Sequence, residues 1–191
     1  MDLKSHIARV PDFPHKGVTF WDVSTLLQNA DALAYTISAL ADHYRSQAID
    51  KIIAPESRGF LIGGAIAKEL HAGFVLARKP GKLPRKTIRE EYALEYGIAA
   101  LEVHADSIQP GEHVLLFDDV LATGGTANAC ARLVERQGGE IDDMCFLMDL
   151  QYLPKTADLS RFNIFSLLQY TEKDLRHPFD TKPSLFTEIA K

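Results

Sequence analysis

The residue types best suited to chemistry fall in one window, Val114-Leu115-Leu116-Phe117-Asp118-Asp119-Val120-Leu121-Ala122-Thr123-Gly124-Gly125-Thr126. Gly124 and Gly125 let backbone approach a bulky anion with no Cβ in the way, and Thr123 and Thr126 add hydroxyl donors. With a strand before it and a helix after it, the stretch Ala122 to Thr126 would aim unpaired N–H groups and the positive end of a helix dipole at one point. That arrangement suits a dianionic phosphate. Asp118 and Asp119 would repel the phosphate; they suit the vicinal hydroxyls of a ribose, or a hydrated Mg²⁺. The window reads as a holder for a phosphorylated sugar. It is not the nucleotide P-loop, since no lysine follows its glycines, nor the Gly-x-Gly-x-x-Gly dinucleotide turn. The plainer reading is a strand–turn–helix with a solvated acid pair, and the coincidence of acids, glycines and threonines weighs against it.

A second concentration of charge lies upstream. Arg78, Lys79, Lys82, Arg85, Lys86 and Arg89 occur with no acid among them, a landing zone for a pyrophosphate. Solvated charge runs are commoner than ligand sites, and only the sugar-phosphate window favours the functional reading here.

The elements that must position these groups alternate. Short apolar runs at 52–54, 74–77, 114–117, 144–148 and 164–168 read as strands. Leu33, Ile37, Leu40 and Tyr44 make a helical stripe after possible caps Asn29 and Asp31, and residues 60–70 read as a helix with Gly63-Gly64 marking close packing. After the glycine loop, Ala127, Cys130, Leu133 and Val134 share one helical face, with Thr126 as expected N-cap and Gly138-Gly139 as the stop. Such alternation predicts an α/β fold with a mainly parallel central sheet flanked by helices, ligands binding at the carboxyl ends of its strands. Residues 1–25 look too punctuated for regular structure, and residues 80–104 read as a long inserted loop. These are the candidates for a hood over the ligand and a closing lid. The tail, 171–191, is either a short packed element or a mobile end.

Composition sets the outer bounds. A chain of 191 residues with 46% hydrophobic and 25% charged residues fits a single domain with a substantial core. Its formal charge of −5 gives no support for nucleic acid or an anionic membrane as partner. Cys130 and Cys145 lack metal-site spacing and are expected to be buried and reduced. No apolar leader or spanning segment is apparent, so a cytoplasmic protein is expected.

The 114–126 window resembles the phosphoribosyl pyrophosphate (PRPP) signature of type I phosphoribosyltransferases. Four further patches resemble the adenine phosphoribosyltransferase family in order: Val10-Pro11-Asp12-Phe13-Pro14 with Gly17-Val18, Glu56-Ser57-Arg58-Gly59-Phe60, Arg78-Lys79-Pro80-Gly81-Lys82-Leu83-Pro84 and Tyr92-Ala93-Leu94-Glu95-Tyr96-Gly97. The resemblance spans roughly residues 8–170. It implies the type I fold with an N-terminal hood and flexible lid, Mg²⁺ as cofactor, PRPP and adenine as substrates, and a homodimer. It further implies that Asp118 and Asp119 hold the ribose, that Ala122 to Thr126 cradle the 5′-phosphate, and that Arg78, Lys79 and Lys82 contact pyrophosphate. Ser57 would lie at the turn beside PRPP, with Arg58 between purine and pyrophosphate. Glu95 would manage the purine proton, with Glu90, Glu91 and Glu102 as rivals, and Tyr96 would cover the reaction centre. Thr19, Phe20 and Trp21 would meet the base, largely through backbone groups. The chain departs from the family at Trp21, where arginine is common after the hood phenylalanine, and at His15-Lys16. Two alternatives stay open, a transferase for xanthine, guanine or hypoxanthine and a non-catalytic PRPP or purine sensor.

Overall fold

A computed structural model describes residues 1–93 and 97–176. Its centre is a five-stranded sheet in the order β4-β3-β7-β8-β9, comprising β3 (Lys51–Pro55), β4 (Gly73–Ala77), β7 (Val114–Leu121), β8 (Asp143–Leu150) and β9 (Asn163–Tyr170). Every pairing within it is parallel. Successive side chains of a strand point to opposite faces, and here both faces are covered. Leu115 and Phe117 of β7 join the core under α2 (Ala30–Tyr44) and α3 (Gly59–Leu70), whereas Val114 and Leu116 join the core under α4 (Gly125–Glu135). That is why the strands read as unbroken apolar runs rather than as alternation.

From β3 the chain steps outward to β4, returns to β7 on the other side of β3, and continues to β8 and β9. The direction of travel reverses between β3 and β7, which opens a crevice at their carboxyl ends. The helices are set by their ends. Asn29 caps α2 by accepting from the Ala32 amide at 2.9 Å, and the stripe Leu33, Ile37, Leu40 and Tyr44 faces the sheet. In α3, a Cβ on Gly63 would lie 3.0 Å from Phe74 and 3.1 Å from Phe117. That close approach holds the start of α3 against β7.

Two expectations need correction. Residues 1–25 are not irregular: β1 (Ala8–Pro11) pairs antiparallel with β2 (Thr19–Asp22), after a 3₁₀ turn at Lys4–His6 and before the short α1 (Ser24–Leu27). The tight turn is closed by Phe13 N–H to the Val18 carbonyl and by Gly17 N–H to the Asp12 carboxylate. Nor is 80–104 simply an inserted loop. Its β5 (Thr87–Ala93) and β6 (Ile98–His104) form an antiparallel hairpin, and Leu101 and Val103 of β6 are buried in the α4-side core. Short strands studded with Pro, Gly and charge hide their period from a sequence reading. Beyond β9, α5 (Glu172–Arg176) is tied to the hood, Lys4 pairing with Asp174 at 2.7 Å and Arg9 donating to the Leu175 carbonyl. The tail thus begins as a packed element.

Candidate active site

Strand β7 runs four residues further than its apolar run suggests, so Asp118 and Asp119 lie within the strand and not past its end. The loop that follows turns at Gly124, whose φ of +89° is easily adopted only by glycine. Gly124, not Thr126, is the N-cap of α4; Thr126 sits in the first helical turn, its hydroxyl 3.4 Å from the Tyr92 hydroxyl. Helix α4 ends as expected, with Gly138 N–H bonded to the Glu135 carbonyl and Gly139 N–H to that of Val134. Among the described residues the amides of Thr123 to Ala127 donate to nothing, and the first bond of the helix runs from Asn128 to the Gly124 carbonyl. Around these amides is a hollow of about 60 Å³, lined by the whole loop together with Asp118 and Phe146. A bed of unpaired N–H groups at a helix start is a ready anion site.

Beside it, a larger cavity of about 580 Å³ opens into the crevice between β3 and β7, lined by Ser57, Arg58, Lys79, Tyr92, Asp118 and Asp119 among others. Asp119 is only 4% exposed and accepts from Arg58 Nε at 2.5 Å. Asp118 accepts from the Asp119 amide at 2.9 Å. Burial, and then the neighbouring Asp119 charge, push the Asp118 carboxyl well above the usual carboxylate range. Room for this acid comes from Gly59: a Cβ there would lie 3.2 Å from Asp118 Oδ1. The glycine of Glu-Ser-Arg-Gly thus leaves space for an acid of a distant segment, which a side chain would press.

Arg58 stands at the N-terminus of α3, where the helix dipole disfavours a cation. It is offset by Asp119 on one side and by the face of Phe20, 5.2 Å away, on the other. The Glu56–Ser57 peptide just before it is cis. On the far side of the crevice, Arg78 Nε donates to Glu56 at 3.0 Å, and the same carboxylate accepts from the Lys79 amide at 3.1 Å. The basic run is thus partly self-neutralised: Arg78 pairs with Glu56, Arg85 with Asp106 and Arg89 with Glu91. Lys79, Lys82 and Lys86 have no ion-pair partner among the described residues.

The phosphoribosyl transferase domain family matches residues 22–170. An adenine phosphoribosyltransferase of Thermosipho melanesiensis is 50% identical over 170 residues, 89% of this chain and 97% of that protein. The chain belongs to the adenine phosphoribosyltransferase family. The structure of the enzyme from Thermoanaerobacter pseudethanolicus superposes with a TM-score of 0.85 at 45% identity, covering 88% of this chain and 98% of that one. The Giardia lamblia enzyme complexed with 9-deazaadenine superposes with a TM-score of 0.83 at 35% identity, covering 89% and 97%.

Within this adenine phosphoribosyltransferase fold, the residues singled out in the sequence do not all converge. Ser57, Arg58, Lys79, Asp118, Asp119, Ala122 and Thr126 line the crevice cavity, and Thr123, Gly124 and Gly125 line the adjoining hollow. Arg78 reaches the same rim through Glu56 and also donates to the Lys82 carbonyl at 3.3 Å. Glu95 and Tyr96 lie outside the described residues. In the hood, strand alternation separates neighbours: Phe20 turns to Arg58 and Phe13, whereas Trp21 turns inward. Trp21 is 3% exposed, its ring centroid 4.2 Å from that of Tyr170 and its Nε1 donating to the Tyr152 hydroxyl at 3.1 Å. The departure from the family at this position is thus a matter of packing, and its side chain is spent in the core.

Three residues in the site's construction had drawn no attention as functional. Gly59 and Glu56 lay inside a quoted motif, but their partners, Asp118 and Arg78, are remote in sequence. Lys155, in the loop after β8, holds the Ala122 carbonyl at 2.8 Å and carries no local pattern at all.

Proposed function

We propose that the chain transfers the 5-phosphoribosyl group of PRPP to adenine, releasing pyrophosphate and forming AMP. The observation that carries this reading is the junction of three surfaces at one strand-end crevice: a bed of free amides, an acid pair whose Asp119 is buried, and an arginine stacked on an aromatic hood residue. The family and the relative bound to an adenine analogue favour adenine as the base.

In this reading the amides of the 123–127 loop hold the 5′-phosphate, with the Thr123 and Thr126 hydroxyls alongside. Asp118 and Asp119 accept from the ribose hydroxyls and fix the sugar so that C1′ faces the hood. Arg58 is released from Asp119 as the sugar arrives and turns to the leaving group, joined by Lys79, Lys82 and Arg78. Phe20 lies against the purine and backbone groups of Thr19 to Trp21 read its edge. The C1′–O bond to pyrophosphate breaks as the bond from the purine nitrogen forms, and Glu95 takes the proton that this nitrogen sheds. Closure of the hairpin tip, with Tyr96 over the centre, keeps water from capturing the activated sugar.

Two carboxylates, one already paired with Arg58, fit Mg²⁺ that arrives on PRPP oxygens better than a resident ion in an all-protein cage; among the described residues no cluster of three or more acidic, His or Cys ligands exists. Mg²⁺ so bound supplies Lewis-acid neutralisation of the leaving pyrophosphate.

We further infer a cytoplasmic homodimer organised as one domain with hood 1–25, lid 80–104 and tail 171–191. No described helix is long and apolar enough to cross a membrane. The exposed Leu61 of α3 and Leu76 of β4 offer apolar surface to a second copy.

Pyrophosphate release from PRPP and Mg²⁺ with adenine, beside hypoxanthine, guanine, xanthine and no base, tests the reading. Adenine-dependent release with AMP as product is expected. Release with another base only would reassign the hood, and tight PRPP binding without release would make the protein a sensor. Glu95→Gln is expected to lower turnover much more than PRPP binding; unchanged turnover removes Glu95 from the mechanism.

A further inference from the structure

The glycine loop at 122–126 is held from behind by a residue that lines neither the hollow nor the crevice cavity. Lys155 Nζ lies 2.8 Å from the Ala122 carbonyl, 3.4 Å from that of Leu121, 3.2 Å from that of Leu150 and 2.7 Å from Asp149 Oδ1. One residue on, the Thr156 amide donates to the Thr123 carbonyl at 2.9 Å, with the Ala157 amide at 3.3 Å. Lys155 is absent from the lining of both the phosphate-sized hollow and the crevice cavity.

In a trans peptide the C=O and the following N–H point in opposite directions. Drawing the Ala122 and Thr123 carbonyls toward the 155–157 segment therefore turns the amides of Thr123 and Gly124 the other way, into the hollow. Those carbonyls would otherwise be free to face the anion, and a peptide flip would exchange donors for repelling acceptors. The ammonium's three N–H groups are shared among carbonyls at the ends of β7 and β8, that of Ala122 and the Asp149 carboxylate, which compensates its charge, so one side chain ties the loop to both strand ends.

Resting on the transferase reading above, we propose that Lys155 is a positioning residue that sets the peptide orientation of the 5′-phosphate loop, and so determines affinity for the phosphate end of the substrate alone.

The test compares ligands for the two ends of the site by calorimetry on the full chain. Lys155→Met is expected to weaken ribose 5-phosphate binding by about tenfold or more, ~1.4 kcal/mol, with pyrophosphate affinity within about twofold of wild type. In turnover, KM for PRPP rises while KM for adenine stays. Lys155→Arg, which can still donate to the Ala122 carbonyl, recovers part of the loss, and it serves as the readable variant if the methionine form does not fold. Equal losses for both ligands would mean a general structural role and overturn the proposal, as would unchanged ribose 5-phosphate binding. If the wild type itself bound no ribose 5-phosphate, the transferase reading would fall and this inference with it.

Discussion

The two ends of the crevice are built on opposite principles. At the glycine-loop end the protein spends carbonyls and leaves donors: those of Ala122 and Thr123 are tied to the 155–157 segment, and five successive amides have no partner among the described residues. At the basic end, the candidate pyrophosphate side, it does the reverse for its arginines, satisfying them internally through Arg58–Asp119 and Arg78–Glu56. The first end is pre-organised, so an anion arrives without displacing any protein contact. At the second end Lys79 is unpaired among the described residues, but Arg58 and Arg78 must break ion pairs before they can engage a ligand, and the free energy of each broken pair is subtracted from binding. Under the proposed transferase reading, specificity and timing would be divided between the ends: the sugar phosphate would dock in a finished cradle, and Arg58 and Arg78 would be freed only as the rest of the substrate replaced their partners.

The largest effect is expected at the hinge between the ends. Asp119→Ala removes both a ribose acceptor and the partner of Arg58, and PRPP kcat/KM should fall about a hundredfold, ~2.7 kcal/mol, the worth of one or two charge-assisted hydrogen bonds. A fall below about threefold would mean that the acid serves Arg58 only. Next is the pre-organised end itself. Gly124→Ala forces a Cβ into the left-handed region and to 3.0 Å from Leu159, a cost of about 1–2 kcal/mol. Denaturant unfolding should register that loss, and ribose 5-phosphate affinity should fall with it.

The self-neutralised end makes the opposite prediction. Glu56→Gln frees Arg78, so pyrophosphate should bind about two- to fivefold tighter in a direct titration, in line with the modest worth of partly exposed pairs. Weaker binding would recast Glu56 as the residue that aims Arg78. The smallest effect separates stability from function. Because the folded Asp118 carboxyl titrates above its unfolded value, the folded state holds the proton more tightly, and stability declines as pH rises from about 4 through that raised pKa. Asp118→Asn removes the penalty. Its Tm should match wild type at about pH 4 and exceed it near pH 7, while PRPP binding weakens. Equal Tm values near pH 7 would show that Arg58 already neutralises the pair.

Much of this was legible in the chain because its signals are local. The central strands declare themselves as apolar runs, and the glycine loop carries all its donors within five residues. The hood and the lid hairpin were harder, since Pro11, Pro14 and Gly17 punctuate one and a run of charge masks the alternation of Ile88 and Tyr92 in the other. Carboxylates suggested that β7 stops before Asp118, whereas pairing with β8 carries the strand through Leu121. Contacts across long sequence gaps left no trace: Trp21 with Tyr170, Gly59 with Asp118 and Lys155 with Ala122 became visible only once the chain was folded.

The two thiols have a practical use. Cys130 and Cys145 are the only cysteines of the chain. Both are fully enclosed, and burial raises each thiol far above its ordinary pKa, so neither offers a thiolate to an electrophile. The native protein is accordingly expected to be silent to maleimide dyes. A lone cysteine installed at Phe13, half exposed at the tip of the β1–β2 hairpin, would carry a fluorophore with little background, so that any movement of this hairpin on adding PRPP and adenine could be read directly.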